Sequence, residues 1–374
     1  MKYCPRALSK LAEAMHCRPG RAGHVCGLIA AALLLAGCSG VGPRAISVEH
    51  AAYTDVLVQT ADEQLLRNLV RLRYRDRPLF LEVSSITSQI VVGASAGLSG
   101  NPLSDDVEES VGAEAGVSYE EQPVITYQPL TGSEFMTRYM LPVRLDTLVQ
   151  LSQSGWSIER ILRICAQSMN GLPNAPTAAG PTPERAPQFR EFAAAAGLLR
   201  RLQVEGVVQL GFAADNGLTE PLLHVADDAS AEAARELSDT LMIAGPYVRL
   251  TRGLGAGSPD RLALQTRSLN GMLHYLSHGV EIPAQHAQAG LVTRTTDRGS
   301  RFDWSGVTEG LLRVRSSVSR PGGAAVQVNY RDHWYWIADD DLDSKSTFSF
   351  LTQLLALQSE ASDAPEPMLT IPLR

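Results

Sequence analysis

The spacing of two histidines is the first feature of the chain that could support chemistry. His274 and His278 are four residues apart in a segment with helical periodicity, so one helix face could present both imidazoles to a metal ion. Glu281 and His286 follow as further candidate ligands, although the glutamate of the H-E-x-x-H motif is missing. A metalloenzyme that uses this pair is one hypothesis. The simpler interpretation is a buried helix face with His278 in its last turn and Gly279 just after it.

Two other patterns resemble functional motifs but lack a necessary part. Residues 93–97 read G-A-S-A-G and match the G-x-S-x-G pattern of serine hydrolases, yet the chain after them starts no helix. The alternating aspartates in 339–343 resemble the start of an EF-hand loop, but Ser344 and Phe350 replace its glycine and its glutamate. Cys165 falls on the apolar face of a predicted helix and is expected in the core. The sequence therefore predicts a non-enzymatic protein with no cofactor and no metal site.

The N-terminus has the composition of a bacterial export signal. Residues 1–24 are polar and cationic, and residues 25–37 form an apolar run that is too short to span a bilayer. The run ends in Leu35-Ala36-Gly37-Cys38, which resembles the lipobox of bacterial lipoproteins. In that class, signal peptidase II cleaves before the cysteine, which carries a diacylglycerol and a further acyl chain.

The resemblance to lipoproteins implies where the mature chain begins and where it resides. The expected segments are a signal peptide at 1–37, starting from Met1 or Met15, and a tether at 38–46. Cys38 is the expected lipidation site, and its anchor implies contact with a membrane and with other envelope proteins. Ser39 rather than aspartate follows the cysteine, which by the usual sorting rule favours the outer membrane, with the protein facing the periplasm.

One long stretch alternates with the period of a β-strand. Even-numbered positions from Ile86 to Leu98 are mostly apolar and odd-numbered positions other than Val91 are small or polar, and the period resumes after a polar loop at 99–110. We therefore predict a long amphipathic β-hairpin over about 84–120. It belongs to a window from 78 to 136 that contains nine acids and no lysine or arginine.

Each arm of this hairpin has the length of a tilted strand that crosses a bilayer. A single hairpin cannot supply hydrogen-bond partners for the backbone groups at its outer edges in lipid. Hairpins from several subunits would therefore have to pair and close an oligomeric β-barrel. The residues predicted to line its lumen are Thr87, Gln89, Glu114 and Glu120. Those predicted to face lipid are Ile90, Val92, Val117 and Tyr119. The alternative is a hairpin that packs on the periplasmic domain of its own chain.

Aromatic residues are concentrated in a second predicted hairpin near the C-terminus. Tyr330, Trp334, Tyr335 and Trp336 lie on two alternating strands joined around Arg331-Asp332-His333. Packing within a sheet is the default interpretation of such residues. The alternative is a surface for a small ligand, which would make the chain a periplasmic ligand-binding lipoprotein.

The remaining patterns divide the chain into an N-terminal helical region at 47–171 and a C-terminal domain at 188–374. A predicted helix at 47–75 opens the first region, and residues 172–187 contain five prolines without periodicity, which is typical of a linker. Helical and strand patterns alternate in the second region. The sequence predicts the α+β class, with an N-terminal helix and a long hairpin before a body of helices and antiparallel sheet.

Five arginines crowd the end of the first predicted helix. They are Arg67, Arg71, Arg73, Arg75 and Arg77. One interpretation is contact with anionic lipid head groups near the anchor. The other is that they face solvent at a helix C-terminus, where the helix dipole favours cations.

Composition excludes two classes of function. Without residues 1–37 the chain has 28 basic and 39 acidic residues, a balance that argues against a general nucleic-acid binder. After the signal, no stretch approaches the roughly 18 consecutive apolar residues of a transmembrane helix, which excludes a helical channel or transporter.

Three segments resemble an uncharacterised group of proteobacterial outer-membrane lipoproteins. They are SGWSIERILR at 154–163, RSLNGMLHYLSHGVEIP at 267–283 and RDHWYWIADDDLDSKSTFSFLTQLLALQ at 331–358. The resemblance transfers no catalytic residue. We predict a lipid-anchored structural, assembly or scaffold component, and a homo-oligomer where the hairpin forms a barrel. A ligand-binding lipoprotein and a lipid-anchored metalloenzyme that uses His274 and His278 are the alternatives.

Overall fold

The computed structural model describes residues 41–99, 112–130, 133–215, 218–253, 255 and 258–359. The predicted signal peptide and Cys38 lie outside these residues. The chain divides into two units, Met1–Asp62 and Glu63–Arg374, and the hydrophobic core belongs to the second. None of the described helices combines the length and the apolar character needed to cross a membrane.

Three of the described helices begin at a serine that caps them. The described α-helices are α1 (Val41–Arg73), α2 (Ser133–Met140), α3 (Leu145–Gln153), α4 (Ile158–Cys165), α5 (Arg190–Val204), α6 (Ala231–Leu241), α7 (Leu269–Ser277), α8 (Ala284–Gln288), α9 (Ser305–Thr308) and α10 (Leu342–Ser359). Ser157, Ser230 and Ser268 precede α4, α6 and α7, and each hydroxyl accepts a hydrogen bond from the backbone N–H three residues on.

The strands form two larger sheets and two separate hairpins within the described part of the chain. They are β1 (Leu81–Ser99), β2 (Gly112–Pro129), β3 (Ala166–Met169), β4 (Leu172–Pro173), β5 (Val208–Asp215), β6 (Leu218–Val225), β7 (Tyr247–Arg252), β8 (Arg261–Thr266), β9 (Thr296–Asp297), β10 (Ser300–Arg301), β11 (Arg315–Ser317), β12 (Ala324–Tyr330) and β13 (His333–Ala338). The larger sheets have the orders β4-β3-β8-β7-β6-β5 and β11-β13-β12, while β1-β2 and β9-β10 pair separately.

The body is α+β, as predicted, but its main sheet is mixed. β7 and β8 are parallel, whereas the other neighbours in this sheet are antiparallel. The predicted antiparallel sheet therefore holds for every neighbouring pair of this sheet except β7 with β8, because periodicity identifies a strand without reporting its direction. Helix α3 packs on β5, β6 and β7, and its Leu148 and Val149 are fully buried.

Residues 172–187, predicted to be a linker, belong to the second unit and carry part of its core. Ala175 and Ala178 are fully buried, and a 3₁₀ turn at Pro176–Ala179 packs against α7. The Asn174 amide donates hydrogen bonds to two carbonyls at the end of α4. The domain boundary predicted here is therefore corrected. The prolines fix turns that pack on a helix, and the regions on either side share one hydrophobic core.

Helix α4 ends earlier than its periodicity predicts. The spacing of Ile158, Ile161 and Cys165 continues at Met169 and predicts a helix that ends near Gly171, but the helix stops at Cys165 and the chain enters β3. Asn170 and Gly171 both have positive φ, at 46° and 81°, and form a two-residue turn that pairs Met169 with Leu172. Asn-Gly is typical of the type I′ turn of a tight hairpin, which explains this path.

Candidate functional site

β1 and β2 form an antiparallel hairpin that is longer than predicted. The pairing runs from Leu81 with Pro129 to Ser99 with Gly112, whereas we predicted about 84–120. Strands of 19 and 18 residues are about 60 Å long at about 3.3 Å per residue. Among the described strands, neither β1 nor β2 pairs with any third strand. Both outer edges of the hairpin therefore lack a partner strand within the described part of the chain.

The register places the predicted lumen and lipid positions on opposite sides of the hairpin. Positions that pair across two strands share a face, and alternate positions lie on opposite faces. The side with the predicted lipid positions includes the pairs Val92 with Tyr119, Ala94 with Val117 and Leu98 with Ala113. The side with the predicted lumen positions includes the pairs Thr87 with Val124, Gln89 with Gln122, Val91 with Glu120 and Gly97 with Glu114. Ile90, predicted to face lipid, is opposite Glu121, so an acidic position interrupts the apolar side there.

The base of the hairpin is fixed to α1 and α2. The Asn68 side chain donates to the backbone oxygen of Leu79 at 2.7 Å and accepts from its N–H at 3.0 Å. Next to it, the Phe80 ring packs against Phe135 and Tyr139, with ring centroids 5.9 and 5.5 Å away. Asn68, Phe80 and Tyr139 are buried. These contacts hold the first residues of β1 in one position on the body.

A separate open cleft of about 1400 Å³ lies beside the C-terminal ends of α1 and α7. Its lining includes Arg73 from α1, His278 from the end of α7, and the loop residues Phe302 and Trp304. Phe302 meets Trp304 edge to face, with ring centroids 5.1 Å apart, which gives this wall a rigid aromatic part.

His278 is buried in the wall of the cleft, and both of its ring nitrogens lack hydrogen-bond partners among the described residues. Only 3% of the residue is exposed, and its ring stacks on Trp304 at a centroid distance of 3.8 Å. The Ala178 backbone approaches the ring without the geometry of a hydrogen bond. Burial, and then the charge of Arg73, lowers the pKa of His278 well below its ordinary value, so the imidazole is neutral at pH 7.

Stability is expected to fall as pH is lowered through about 6.5. The unfolded chain protonates His278 near that value and the folded chain does not, so the free energy of unfolding drops by up to about 1.4 kcal/mol per pH unit below it. Burial also lowers the pKa values of His274 and His286, so these residues add to the loss of stability as the pH falls. Urea denaturation between about pH 5 and 7 measures the slope. His278→Phe retains an aromatic stack on Trp304 and should flatten it. An unchanged slope would mean that folded His278 takes up the proton.

Arg73 adds a buried cation to the cleft, which corrects the prediction that all five arginines at the end of α1 face lipid or solvent. Its Nη1 donates to the Thr182 hydroxyl at 2.8 Å, and its Nε has no partner among the described atoms. Burial lowers the pKa of Arg73 to about 10, and the nearby Arg301 acts in the same direction. The guanidinium nevertheless stays charged at neutral pH.

Most of the acids that line the cleft are bound to partners. These pairs are Glu281 with Arg313, Asp343 with Arg160, Asp341 with Ser344 and Asp303 with Ser305. Glu309 is exposed, and its carbonyl accepts a bond from Arg163. Within the described part of the chain, Arg73, Arg294 and Arg301 form no ion pair with any acid. Asp303 and Asp341 are bound only to serines and keep their charge, so with Glu309 they balance the three unpaired arginines of the cleft.

The predicted metal ligands are not brought together. Glu281 pairs with Arg313 at 2.9 Å, and His286 Nδ1 lies 2.6 Å from the hydroxyl of Tyr74. His278 faces the cleft between Arg73 and Trp304 instead. No three His, Cys, Asp or Glu side chains converge on a metal position in the described ranges. The hypothesis of a metalloenzyme thus loses its proposed ligand set.

The other motif matches have structural roles. Residues 93–97 lie within β1 rather than at a turn into a helix, so they do not form a nucleophile elbow. Asp341 accepts hydrogen bonds from the backbone and side chain of Ser344 in the first turn of α10. Cys165 is fully buried, and burial raises the pKa of its thiol to about 12, which makes it unreactive.

The aromatic hairpin β12–β13 is confirmed as a hairpin, and its own chain covers the two tryptophans. The guanidinium carbon of Arg320 lies 5.2 Å from the ring centroid of Trp334, and that of Arg315 lies 5.2 Å from the ring centroid of Trp336. Such cation–π contacts occupy the ring faces that a ligand would need. The arrangement favours the default prediction of sheet packing over the alternative of a ligand surface.

A partly buried hydrogen-bond network joins this hairpin to the end of α1. The Tyr74 hydroxyl lies 2.6 Å from the hydroxyl of Tyr335 and 2.6 Å from His286 Nδ1. The Asp76 carboxylate accepts bonds from Tyr330 and from Arg331, the latter at 2.8 Å. Arg331 belongs to a turn with positive φ, so the pair with Asp76 holds an uncommon backbone conformation. These residues position the hairpin.

Sequence reasoning missed the main residues of the cleft. Leu66, Leu69, Val70 and Arg73 follow the i, i+3, i+4, i+7 pattern, so helical periodicity already places Arg73 on the buried face of α1. No comparable signal marks Trp304, because a loop residue reaches its partners only through the tertiary fold.

Comparisons of this chain with protein-family models, with curated proteins and with solved structures find no match.

Proposed function

We propose that this chain is a lipid-anchored, non-enzymatic assembly component of the outer membrane that forms homo-oligomers through its β1–β2 hairpin. The observation that supports the proposal is a hairpin about 60 Å long whose strands pair only with each other in the described residues. A two-stranded hairpin is marginally stable in water by itself. A hairpin of this length needs further strands or another surface to cover it.

The edge of β1 lacks the features that normally block strand addition. Proteins protect exposed edges with lysines, prolines, inward charges or bulges. From Val83 to Ser99, β1 contains no charged residue and no proline, and its one irregularity lies at its base, between Val83 and Ser85. β2 has Pro123 in its basal half, while its half near the loop carries only Glu114 between Gly112 and Tyr119. The distal halves are therefore the parts suited to pairing with another copy.

Pairing of β1 in one copy with β2 in the next is a heterologous contact, because it joins two different surfaces. Repeated contacts of this kind generate a closed ring when the rotation from each copy to the next leads back to the first copy. Such a ring places the Val92–Tyr119 side of every hairpin on one surface and the Glu114 and Glu120 positions on the other. The apolar surface suits lipid, and the acidic surface suits an aqueous lumen. About ten residues in each distal half equal the length of a membrane-crossing strand.

The proposed anchor at Cys38 favours this assembly. Several acyl chains give stable membrane attachment, and attachment confines the copies to one surface. Confinement raises their effective concentration, so the edge contacts form without high intrinsic affinity.

Removal of the hairpin should convert the oligomer to a monomer. Residues 86–125 are replaced by Asn-Gly, which keeps the Ser85–Thr126 pair and supplies a two-residue turn. Light scattering coupled to size exclusion in mild detergent measures the mass of the lipidated protein and of a Cys38→Ala form. We expect a defined oligomer for the lipidated wild type and a monomer for the shortened chain.

Two controls separate loss of assembly from loss of folding. The shortened chain should retain the urea midpoint of the wild-type body, since Asn68, Phe80 and Tyr139 remain in place. Val92→Arg or Val117→Arg should block membrane insertion of the full-length hairpin. A wild type that is monomeric with its anchor, or an oligomer that persists without residues 86–125, would contradict the proposal.

A further inference from the structure

We propose that the junction between the end of α1 and the β12–β13 hairpin is a pH-sensitive switch, closed while the His286 imidazole is neutral and opened when this ring takes up a proton. In the open state the turn at 330–333 detaches from Tyr74 and His286. The switch uses no residue of the β1–β2 hairpin, so it goes beyond the proposed function and does not depend on it. It rests on the direction of a hydrogen-bond chain, on the charges beside His286 and on the backbone of the turn.

His286 is one end of a chain of three hydrogen-bonding groups. The Tyr74 hydroxyl lies 2.6 Å from His286 Nδ1 and 2.6 Å from the Tyr335 hydroxyl. Each hydroxyl has one proton, so both protons find an acceptor only when Tyr335 donates to Tyr74 and Tyr74 donates to His286. Nδ1 accepts this bond only in the neutral ring, with the ring proton on Nε2. The closed junction therefore requires a neutral imidazole in one tautomer.

Protonation of His286 reverses this chain. Nδ1 of the imidazolium is a donor, so the Tyr74 proton must turn to Tyr335, and the Tyr335 proton is then left without an acceptor among the described residues. Tyr335 is fully buried, so its hydroxyl has no access to water in the closed junction. A buried donor without a partner is costly, and the cost is avoided when the junction opens.

The charges beside His286 act in the same direction. Its ring centroid lies 4.6 Å from that of His333, and the guanidinium carbon of Arg331 lies 4.9 Å from the ring centroid of Tyr74. Burial, then His333 and Arg331, lowers the pKa of His286, while Asp332 acts in the opposite direction. A proton on His286 is thus more favourable once the ring is separated from the hairpin and exposed to water.

The titratable and charged groups of the junction come from the end of α1 and from the hairpin, and α8 adds none besides His286. They are Tyr74, Asp76, Tyr330, Arg331, Asp332, His333 and Tyr335. The Asp76 carboxylate already accepts hydrogen bonds from Tyr330 and Arg331, which leaves Asp332 as the acid that favours a charged His286.

The turn of the hairpin depends on contacts from outside it. Arg331 and Asp332 have φ values of 50° and 63°, in the left-handed region that suits Asn-Gly better than Arg-Asp. The bonds from Asp76 and the chain through Tyr74 hold this backbone in place. Uncommon backbone conformations that need such support are found at switch regions. Loss of the His286 bond should therefore let the end of the hairpin fray.

Hydrogen exchange of the full-length Cys38→Ala chain measures this opening. Uptake of one proton changes the opening equilibrium by up to tenfold per pH unit below the ordinary histidine pKa of about 6.5. Exchange of the backbone amides in 328–335, corrected for its intrinsic pH dependence, should therefore rise about tenfold from pH 7.5 to 5.5. Helix α5 is the internal reference for global unfolding, and its exchange should rise less. The imidazole NMR signal of His286 should titrate with a midpoint below about 6.5.

Two histidine variants decide whether His286 is responsible. His286→Asn offers an amide oxygen to Tyr74 but takes up no proton, so the additional rise in 328–335 should disappear. His224→Asn is the matched control, because His224 also lies against a tyrosine ring, that of Tyr247 at 5.2 Å, but belongs to β6. It should keep the wild-type rise. A rise in 328–335 no larger than that in α5, or an equal rise in His286→Asn and the wild type, would overturn the proposal.

Discussion

Replacement of Arg267 by alanine is expected to lower the free energy of unfolding by about 3 to 5 kcal/mol. The residue is 1% exposed, and its guanidinium carbon lies 4.0 Å from the ring centroid of Tyr275. Its Nη1 lies 2.6 to 3.0 Å from three backbone oxygens, and its Nη2 donates to a fourth. These oxygens belong to Arg163, Ile164, Ala166 and Asn174. Alanine would leave a cavity and deprive buried carbonyls of their partner.

The charge of Arg267 is balanced by the end of a helix rather than by an acid. The carbonyls it binds include those of the last turn of α4, where the helix dipole is negative. Burial lowers the pKa of Arg267 to about 10, so the side chain remains a cation at neutral pH. Arg267→Lys keeps the positive charge but loses the planar guanidinium with its several N–H donors. This variant should also be less stable than the wild type, by a smaller amount than the alanine variant.

Urea denaturation of the Cys38→Ala chain, followed by circular dichroism, measures these differences. Arg144→Met is the matched control, because the Arg144 side chain is 75% exposed and pairs only with Asp146. It should change the free energy of unfolding by at most about 1 kcal/mol. A loss in Arg267→Ala no larger than that of the control would mean that the bonds to the α4 carbonyls contribute little.

Arg267 also shows why sequence patterns misplaced the end of α4. Periodicity through Ile158, Ile161 and Cys165 identified the helix and its buried face correctly. Met169 continues the same helical spacing, but it belongs to β3, which pairs with β8. Arg267 follows β8 directly and binds carbonyls on both sides of the break, a contact about 100 residues apart in sequence that no local pattern contains. Only the Asn-Gly turn at 170–171 signalled a hairpin.

The hairpin and the cleft differ in how far the sequence could predict them. A strand period of two is local, so β1 and β2 were predictable as a hairpin, and the register kept the two sets of alternating positions apart. The cleft joins the end of α1, the end of α7 and loops near Trp304. Its chemistry depends on which cations lack partners, and this is decided by tertiary contacts such as Glu281 with Arg313. Side-chain pairing of that kind leaves no periodic signal.

Replacement of Gly279 by alanine is expected to lower the free energy of unfolding by about 3 kcal/mol, at the upper end of the range for overpacking. A Cβ atom at this position would lie 2.3 Å from the backbone oxygen of Leu312 and 3.1 Å from its carbonyl carbon. We predicted Gly279 just after the last turn of α7, where glycine often adopts a positive φ, but the φ of Gly279 is not positive. The glycine is required because another backbone passes next to it.

The neighbouring backbone cannot move away without losing bonds. The Val314 N–H donates to the Gly279 oxygen at 2.9 Å, and the Glu281 N–H donates to the Val314 oxygen at 2.8 Å. These two bonds hold the 312–314 segment against the chain that leaves α7, so relief of the clash costs hydrogen bonds as well as packing. His278 directly precedes this contact, and the added methyl group should therefore also disturb its stack on Trp304.

Gly197→Ala is the control, because the same substitution at this position is expected to change the free energy of unfolding in the opposite direction. Gly197 lies within α5, and a Cβ atom there meets no other atom within 4 Å. Alanine has a higher helix propensity than glycine, so this variant should be more stable than the wild type by up to about 1 kcal/mol. Urea denaturation of the two variants under the same conditions should give changes of opposite sign. A Gly279→Ala protein as stable as the wild type would show that the 312–314 segment can shift by about 1 Å at little cost.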